Sequence, residues 1–231
     1  MAIIKEEIDL NVAEGTMAVV TFRDNDSAPR PAIVLVHDAN GLLPATLDIA
    51  RGLAENGFVV AAPDVYHRVG RMQTGDPALP ILDKMWLREG MTNEGHLLDM
   101  NALAAHLQGQ DYVSDGLVGV TGFCLGGRIA FLAASRSEGF GPSVLFYPTR
   151  LCEPDPAFAK TAPPITFAGG VTSPMLTFFP ELDSQNPPEN IKTINAALAA
   201  SPAESVVVPN AAHGFAQPGN PGYHTEEGPI A

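Results

Sequence analysis

The sequence predicts an α/β architecture, a mostly parallel central sheet with helices on both faces. Three observations predict it. Short, nearly continuous apolar runs such as AIVLVH (32–37) and FVVAA (58–62) alternate with amphipathic helical stretches, the order that builds a parallel sheet. Polar residues suited to chemistry, namely His37, Asp38, Asp64, Cys124, Asp183 and His213, fall just past such runs, where these sheets bind ligands. No linker-like stretch interrupts the 231 residues, so residues 1–231 are expected to form one domain.

Each element has its own signal. Residues 15–22 alternate loosely and read as an early antiparallel strand, and 32–37 as a strand buried on both faces. ATLDIARGLAENG (45–57) places Leu47, Ala50, Leu53 and Ala54 on one helical face, with Gly57 as its stop. Residues 58–62 form the next strand, ended by Pro63. Residues 64–92 hold prolines and glycines and read as an excursion or cap with one helix around Trp86. An amphipathic helix over 97–107, a strand over 117–121 and a helix over 126–135 follow. A strand over 143–147 leads into a Pro-rich passage to about residue 173, then strand 175–179, helix 188–200 and strand 205–208 complete the series.

Composition excludes several classes. A formal charge of −13 leaves no basic stripe to neutralise phosphates, so nucleic acid is not a partner. The opening MAIIKEEIDL lacks the apolar core of a signal peptide and no later run approaches a membrane span. Two cysteines, Cys124 and Cys152, are too few for a disulfide scaffold, so a reducing cytoplasm is expected. His67, His96, His106 and His224 show no metal-ligand spacing, so no metal site is expected.

GVTGFCLGG (119–127) carries a strand into Gly122-Phe123-Cys124-Leu125-Gly126 and then a helix. That matches the nucleophile elbow G-x-S-x-G with cysteine for serine. Flanking glycines let the chain turn sharply, and the helix start favours a thiolate. A buried structural cysteine is the competing account. The chain order decides between them: Cys124 is followed by Asp183 after MLTFF and by His213 after SVVV, the nucleophile–acid–base order of elbow enzymes. His213 can take the thiol proton while Asp183 fixes its tautomer.

These residues resemble the dienelactone hydrolase (carboxymethylenebutenolidase) family over about 30–223. The similarity is carried by HDANGL (37–42), APDVYHR (62–68), GFCLGGRIAF (122–131), ELDSQNP (181–187) and AAHGFA (211–216). The resemblance implies an α/β-hydrolase fold without a large cap, with Cys124 as nucleophile, Asp183 as orienting acid and His213 as base. It implies an oxyanion hole from the amides of Leu125 and Ala39. It places Asp38, where glutamate is usual, as an acid interacting with the nucleophile. It assigns Arg68 to a substrate carboxylate and Tyr147 to the pocket wall. Gln217 occupies the position of a second substrate-binding arginine. The family continues into a final helix, whereas this sequence ends at GYHTEEGPIA, so that helix is expected to be missing.

The expected function is a cofactor-free, cytoplasmic hydrolase of a lactone or small carboxylic ester, acting through an acyl-thioester, as monomer or homodimer. A broad carboxylesterase or thioesterase with the same triad, and a non-catalytic binding protein retaining the fold, are the alternatives.

Overall fold

The structure, a computed structural model, describes residues 2–26, 28–69, 92–154 and 162–224. The expected helix around Trp86, part of the Pro-rich passage and residues 225–231 lie outside them. Strands β1 (Ile3–Val12) and β2 (Gly15–Asp24) form an antiparallel hairpin. β3 (Ala32–Val36), α1 (Pro44–Glu55) and β4 (Val59–Pro63) follow. α2 (Asn93–Gln108), β5 (Val118–Phe123) and α3 (Leu125–Arg136) form the middle. β6 (Phe140–Phe146), a 3-10 turn over Pro164–Gly170, β7 (Met175–Pro180), α4 (Pro188–Ala197) and β8 (Ala203–Val208) complete it.

The sheet order is β1-β2-β4-β3-β5-β6-β7-β8. Only the β1–β2 and β2–β4 pairings are antiparallel; the rest run parallel. The chain leaves β3 toward β4, then returns to place β5 on the other side of β3. In sheets of this kind ligands bind beyond the carboxyl ends of the strands at such a reversal, here β3 and β5. Val36 pairs with Gly122, so the loop after β3 and the turn after β5 emerge side by side.

The β3 run is continuously apolar because both its faces are covered. Val34 and Val36 pack with Met100 and Leu103 of α2 and Ile129 and Ala133 of α3. Leu35, between them, joins Ala50 and Ala54 of α1 on the opposite face. Each such fully buried side chain contributes about 1.5–3 kcal/mol. α1 ends at Asn56, and Gly57 takes φ +92° beyond it, as expected for a C-terminal stop.

Helix α2 starts four residues before its apolar pattern does, because Thr92 Oγ1 accepts the Gly95 amide at 3.0 Å and caps it. On the α1 side of the sheet an apolar trough of about 910 Å³ lies open, lined by Leu35, Leu53, Phe123, Val144, Phe146 and Leu176. None of Cys124, Asp183 and His213 lines it. Among the described residues no helix is long and apolar enough to cross a membrane.

Candidate active site

β5 runs straight into Cys124, which has φ 55°, and α3 begins at the next residue. A non-glycine residue in this region costs about 1–3 kcal/mol, so its surroundings must hold it there. They do so at three points. The Cys124 amide donates to Phe146 O at 3.0 Å, and its carbonyl accepts the amides of Arg128 (3.1 Å) and Thr149 (3.0 Å). The flanking glycines are demanded by contact. A Cβ on Gly122 would overlap the backbone carbonyl of Gly126. One on Gly126 would lie 2.6 Å from His37 O and closer still to Val36 O.

The acid and the imidazole are presented by neighbouring loops. Asp183 follows β7, and the Leu182 amide donates to Ala211 O at 2.9 Å, tying the acid loop to the segment that carries His213. The Asp183 carboxylate is buried and accepts three hydrogen bonds. Oδ1 takes the Gln185 amide at 2.9 Å; Oδ2 takes Asn186 Nδ2 at 3.3 Å and His213 Nδ1 at 2.9 Å. Burial pushes its pKa up, but the His213 bond, then the Gln185 and Asn186 bonds, hold it below the usual carboxylate range. Because this acceptor takes Nδ1–H, Nε2 is the ring nitrogen left for other partners.

Cys124 lies close enough to His213 to act on its charge. Burial opposes its charge, but the Asp183 bond and then Cys124 outweigh it and push its pKa up to about 10. Part of that rise comes from the sulfur's own charge.

The loop after β3 is held from β4. His37 Nδ1 donates to Asp38 O at 2.6 Å while its Nε2 accepts the Val65 amide at 3.2 Å. The Tyr66 hydroxyl donates to Ala39 O at 2.8 Å, and Asp64 Oδ1 accepts the Tyr66 amide at 3.0 Å. Among the described residues the Ala39 amide donates to no protein acceptor. Leu125 opens α3, so its amide has no acceptor within the helix. The Asp38 carboxylate accepts Asn40 N at 2.7 Å and Asn40 Nδ2 at 3.0 Å; its hydrogen bonds go to Asn40 and not to Cys124.

The three expected substrate-binding residues are engaged with other parts of the protein. Tyr147, at φ 38°, is fully buried with its ring edge-on to His213 at 4.9 Å, and its hydroxyl donates to the buried Gln217 Oε1 at 3.1 Å. The pair thus backs the imidazole, and burial, with the charges of Cys124, Asp38 and Asp183 behind it, holds the phenol far above its ordinary pKa. Arg68 donates through both terminal nitrogens to the fully buried Asp99, at 2.9 Å from Nη2 to Oδ1, and through Nε to Glu14 at 2.6 Å. His67 Nε2 meets the same Asp99 at 2.9 Å. Burial alone raises the Asp99 pKa, but His67 and Arg68 together lower it.

Among the described residues, Arg68→Ala would leave the buried Asp99 carboxylate with His67 as its remaining ion-pair partner. We expect a loss of about 3 kcal/mol, within the range for breaking a buried ion pair. Urea denaturation reads it directly; a loss below ~1 kcal/mol, the worth of an exposed pair, would show that this pairing does not support the fold.

Sequence reasoning missed the residues around the imidazole. Gln185 Nε2 lies 3.3 Å from His213 Nε2, its Oε1 meets the Thr149 hydroxyl, and Asn186 Nδ2 donates to Pro148 O at 2.8 Å. Gln185 and Asn186 sit inside the ELDSQNP segment, but their residue types alone carry no signal of these contacts. Among the described residues no cluster of three or more His, Cys, Asp or Glu side chains forms a metal site.

The sequence pattern of the dienelactone hydrolase family matches residues 17–228. A Yersinia pestis protein named "Putative carboxymethylenebutenolidase" is 28% identical over 211 residues, covering 90% of this chain and 77% of its own. The carboxymethylenebutenolidase of Rhodococcus opacus is 28% identical over 201 residues, covering 83% and 72%. A crystal structure from Klebsiella pneumoniae, called a "Putative Dienelactone Hydrolase", superposes with a TM-score of 0.84 at 25% identity, covering 100% of this chain and 95% of that one.

Proposed function

The chain belongs to the dienelactone hydrolase family, hydrolases of esters or lactones, and from that premise we propose a thiol mechanism run by Cys124, His213 and Asp183. The observation that carries it is the strained elbow that aims Cys124 at an imidazole whose far nitrogen is bonded to Asp183 at 2.9 Å. The thiol proton passes to His213 Nε2 and the thiolate attacks the substrate carbonyl carbon. The amides of Leu125 and Ala39 receive the developing oxyanion; one such donor typically contributes ~3–4 kcal/mol to the transition state.

The carbon–oxygen bond then breaks. The leaving oxygen departs as alcohol or enol with the proton from His213, and the acyl group stays on sulfur. A water molecule next gives its proton to neutral His213 and attacks the thioester carbonyl. The carbon–sulfur bond breaks, the carboxylic acid leaves and the thiolate–imidazolium pair is restored. An enol or aryl leaving group suits this nucleophile, because the less basic oxygen is expelled readily.

Asp38, through Asn40, serves here by fixing the loop that carries the Ala39 amide, and Tyr147 with Gln217 buttresses the imidazole. Arg68 is already shared by Asp99 and Glu14, and Gln217 is bonded to Tyr147. A substrate carboxylate would compete with two protein carboxylates for its anchor. A neutral lactone or small ester is therefore the better-supported substrate class, which also favours the broader carboxylesterase reading.

The test is to trap the intermediate. Mixing with p-nitrophenyl acetate and quenching in acid should give a burst of nitrophenolate and an acetyl group on the peptide holding Cys124. Acetyl on another residue, or none with turnover intact, would overturn the thiol mechanism; absence of turnover on a panel of neutral and carboxylate esters and lactones would favour the binding-protein alternative.

A further inference from the structure

Resting on that mechanism and its oxyanion amides, we propose that Tyr66 is a positioning residue, whose hydroxyl, by gripping Ala39 O, keeps the Ala39 N–H in place for the oxyanion. Two successive peptide units meet at Ala39. In the first, Asp38 O accepts His37 Nδ1 at 2.6 Å and the Gly41 amide at 3.2 Å. In the second, the Asn40 amide donates to Asp38 Oδ1 at 2.7 Å and Ala39 O accepts the Tyr66 hydroxyl at 2.8 Å.

Backbone carbonyls accept and never donate, so the Tyr66 hydroxyl and His37 Nδ1 are the donors at these contacts. A peptide unit is planar and carries its C=O and N–H on opposite sides. Holding Asp38 O therefore aims the Ala39 N–H the other way, and holding Ala39 O fixes the next plane against it. Among the described residues the Ala39 amide donates to no protein acceptor. It is the polar group of these two units left for a ligand.

The loop's shape and its location have different sources. The His37, Asp38 and Gly41 contacts all lie within residues 37–41, so they shape the loop and move with it. Tyr66 comes from 27 residues away, beyond β4, and is fully buried. Its amide donates to Asp64 Oδ1 at 3.0 Å, and the Asp64 amide donates to Ala18 O of β2 at 2.8 Å. Its ring lies 5.2 Å from that of His37, whose Nε2 accepts the Val65 amide. Tyr66 thus stands on the sheet and grips the residue that carries the oxyanion donor. The same sheet carries the elbow, because Val36 pairs with Gly122. Removing the hydroxyl keeps the ring and its packing and releases Ala39.

The experiment compares two reactions of one sulfur in native protein and Tyr66→Phe. Attack on an ester carbonyl builds an oxyanion. Displacement of iodide from iodoacetamide forms the sulfur–carbon bond as the carbon–iodine bond breaks, and builds none. Acylation of Cys124 by p-nitrophenyl acetate, read as the nitrophenolate burst, should fall about tenfold, less than the 10²–10³-fold typical when an oxyanion donor is removed outright. Alkylation of Cys124 by iodoacetamide, separated from Cys152 by peptide mass spectrometry, should keep its native rate. A merely structural role for the hydroxyl would loosen the elbow with the loop and slow both reactions alike. The proposal is overturned if acylation falls no more than about twofold beyond alkylation, the low end for one net hydrogen bond. If native Cys124 is acylated and the two rates move together in Tyr66→Phe, this inference alone falls. If native protein shows no acyl-Cys124, the thiol mechanism falls first.

Discussion

Cys124→Ala is expected to lower kcat/KM for an activated ester by about 10⁴-fold or more, equivalent to roughly 5.5 kcal/mol of transition-state stabilisation. The size follows from what the elbow supplies. In the acyl mechanism the sulfur forms the covalent bond to substrate. The Leu125 and Ala39 amides and the binding surface remain in the variant, and such remnants typically keep about 10³–10⁴-fold catalysis over water. Activity should therefore fall to a small residue. Stability should change little, because the side chain is only part-buried and the backbone bonds of Cys124 to Phe146, Arg128 and Thr149 do not involve the sulfur. Cys152 is the internal control. Its sulfur is half-buried 3.6 Å from Asn190 O, and burial, then Glu153, raises its pKa. Cys152→Ala should hydrolyse at the native rate. An unchanged rate in Cys124→Ala would remove the thiol mechanism, whatever the likeness of the surrounding motif.

The sheet was legible where burial on both faces makes a strand read as one apolar run. β3 and β4 are of this kind, and their expected limits fall within a residue of those observed. β1 was not legible. Lys5, Glu6, Glu7, Asp9 and Asn11 dilute its apolar residues, and it is a half-covered edge whose Ile8, Leu10 and Val12 pack toward one side of the core and Ile3 toward the other. The start of α2 was hidden for a different reason: a threonine cap sets it, ahead of the first apolar position.

The site divides the same way. The elbow at Cys124 and the pairing of Asp183 with His213 were legible because glycine spacing and chain order are geometric requirements written in residue types. Their supports were not. Asp99 lies within an amphipathic stretch, and nothing local marks it as fully buried against Arg68 and His67. The consequence is substantive: Arg68 reads as a free guanidinium for a substrate carboxylate until its acidic partners are seen. Likewise Tyr147 and Gln217 read as separate pocket residues until the fold turns them toward each other.

Gly126→Ala should damage both stability and catalysis, although it adds one methyl group and touches no reacting atom. The new Cβ would stand 2.6 Å from His37 O and closer to Val36 O, both backbone atoms at the end of β3. Backbone cannot rotate away as a side chain can, so either α3 retreats from the sheet or the end of β3 moves. Overpacking a core costs about 1–3 kcal/mol where side chains can adjust, and this site offers no such adjustment, so a loss of about 3 kcal/mol is expected. The catalytic loss follows from what lies on each side of the collision. Gly126 is two residues past Cys124, and His37 is two residues before Ala39. Separating them widens the gap between the proposed nucleophile and one proposed oxyanion donor, and a displacement near 1 Å can cost about 10²-fold in rate. We therefore expect kcat to fall by about 10²-fold in protein that is still folded, checked by urea denaturation and ester hydrolysis on one preparation. Gly52→Ala is the matched control: a Cβ there meets nothing within 4 Å, and in mid-helix it should stabilise by about 0.5–1 kcal/mol. If Gly126→Ala behaves like Gly52→Ala, the close approach of α3 to β3 is not what holds the elbow, and the positive φ of Cys124 would need another cause.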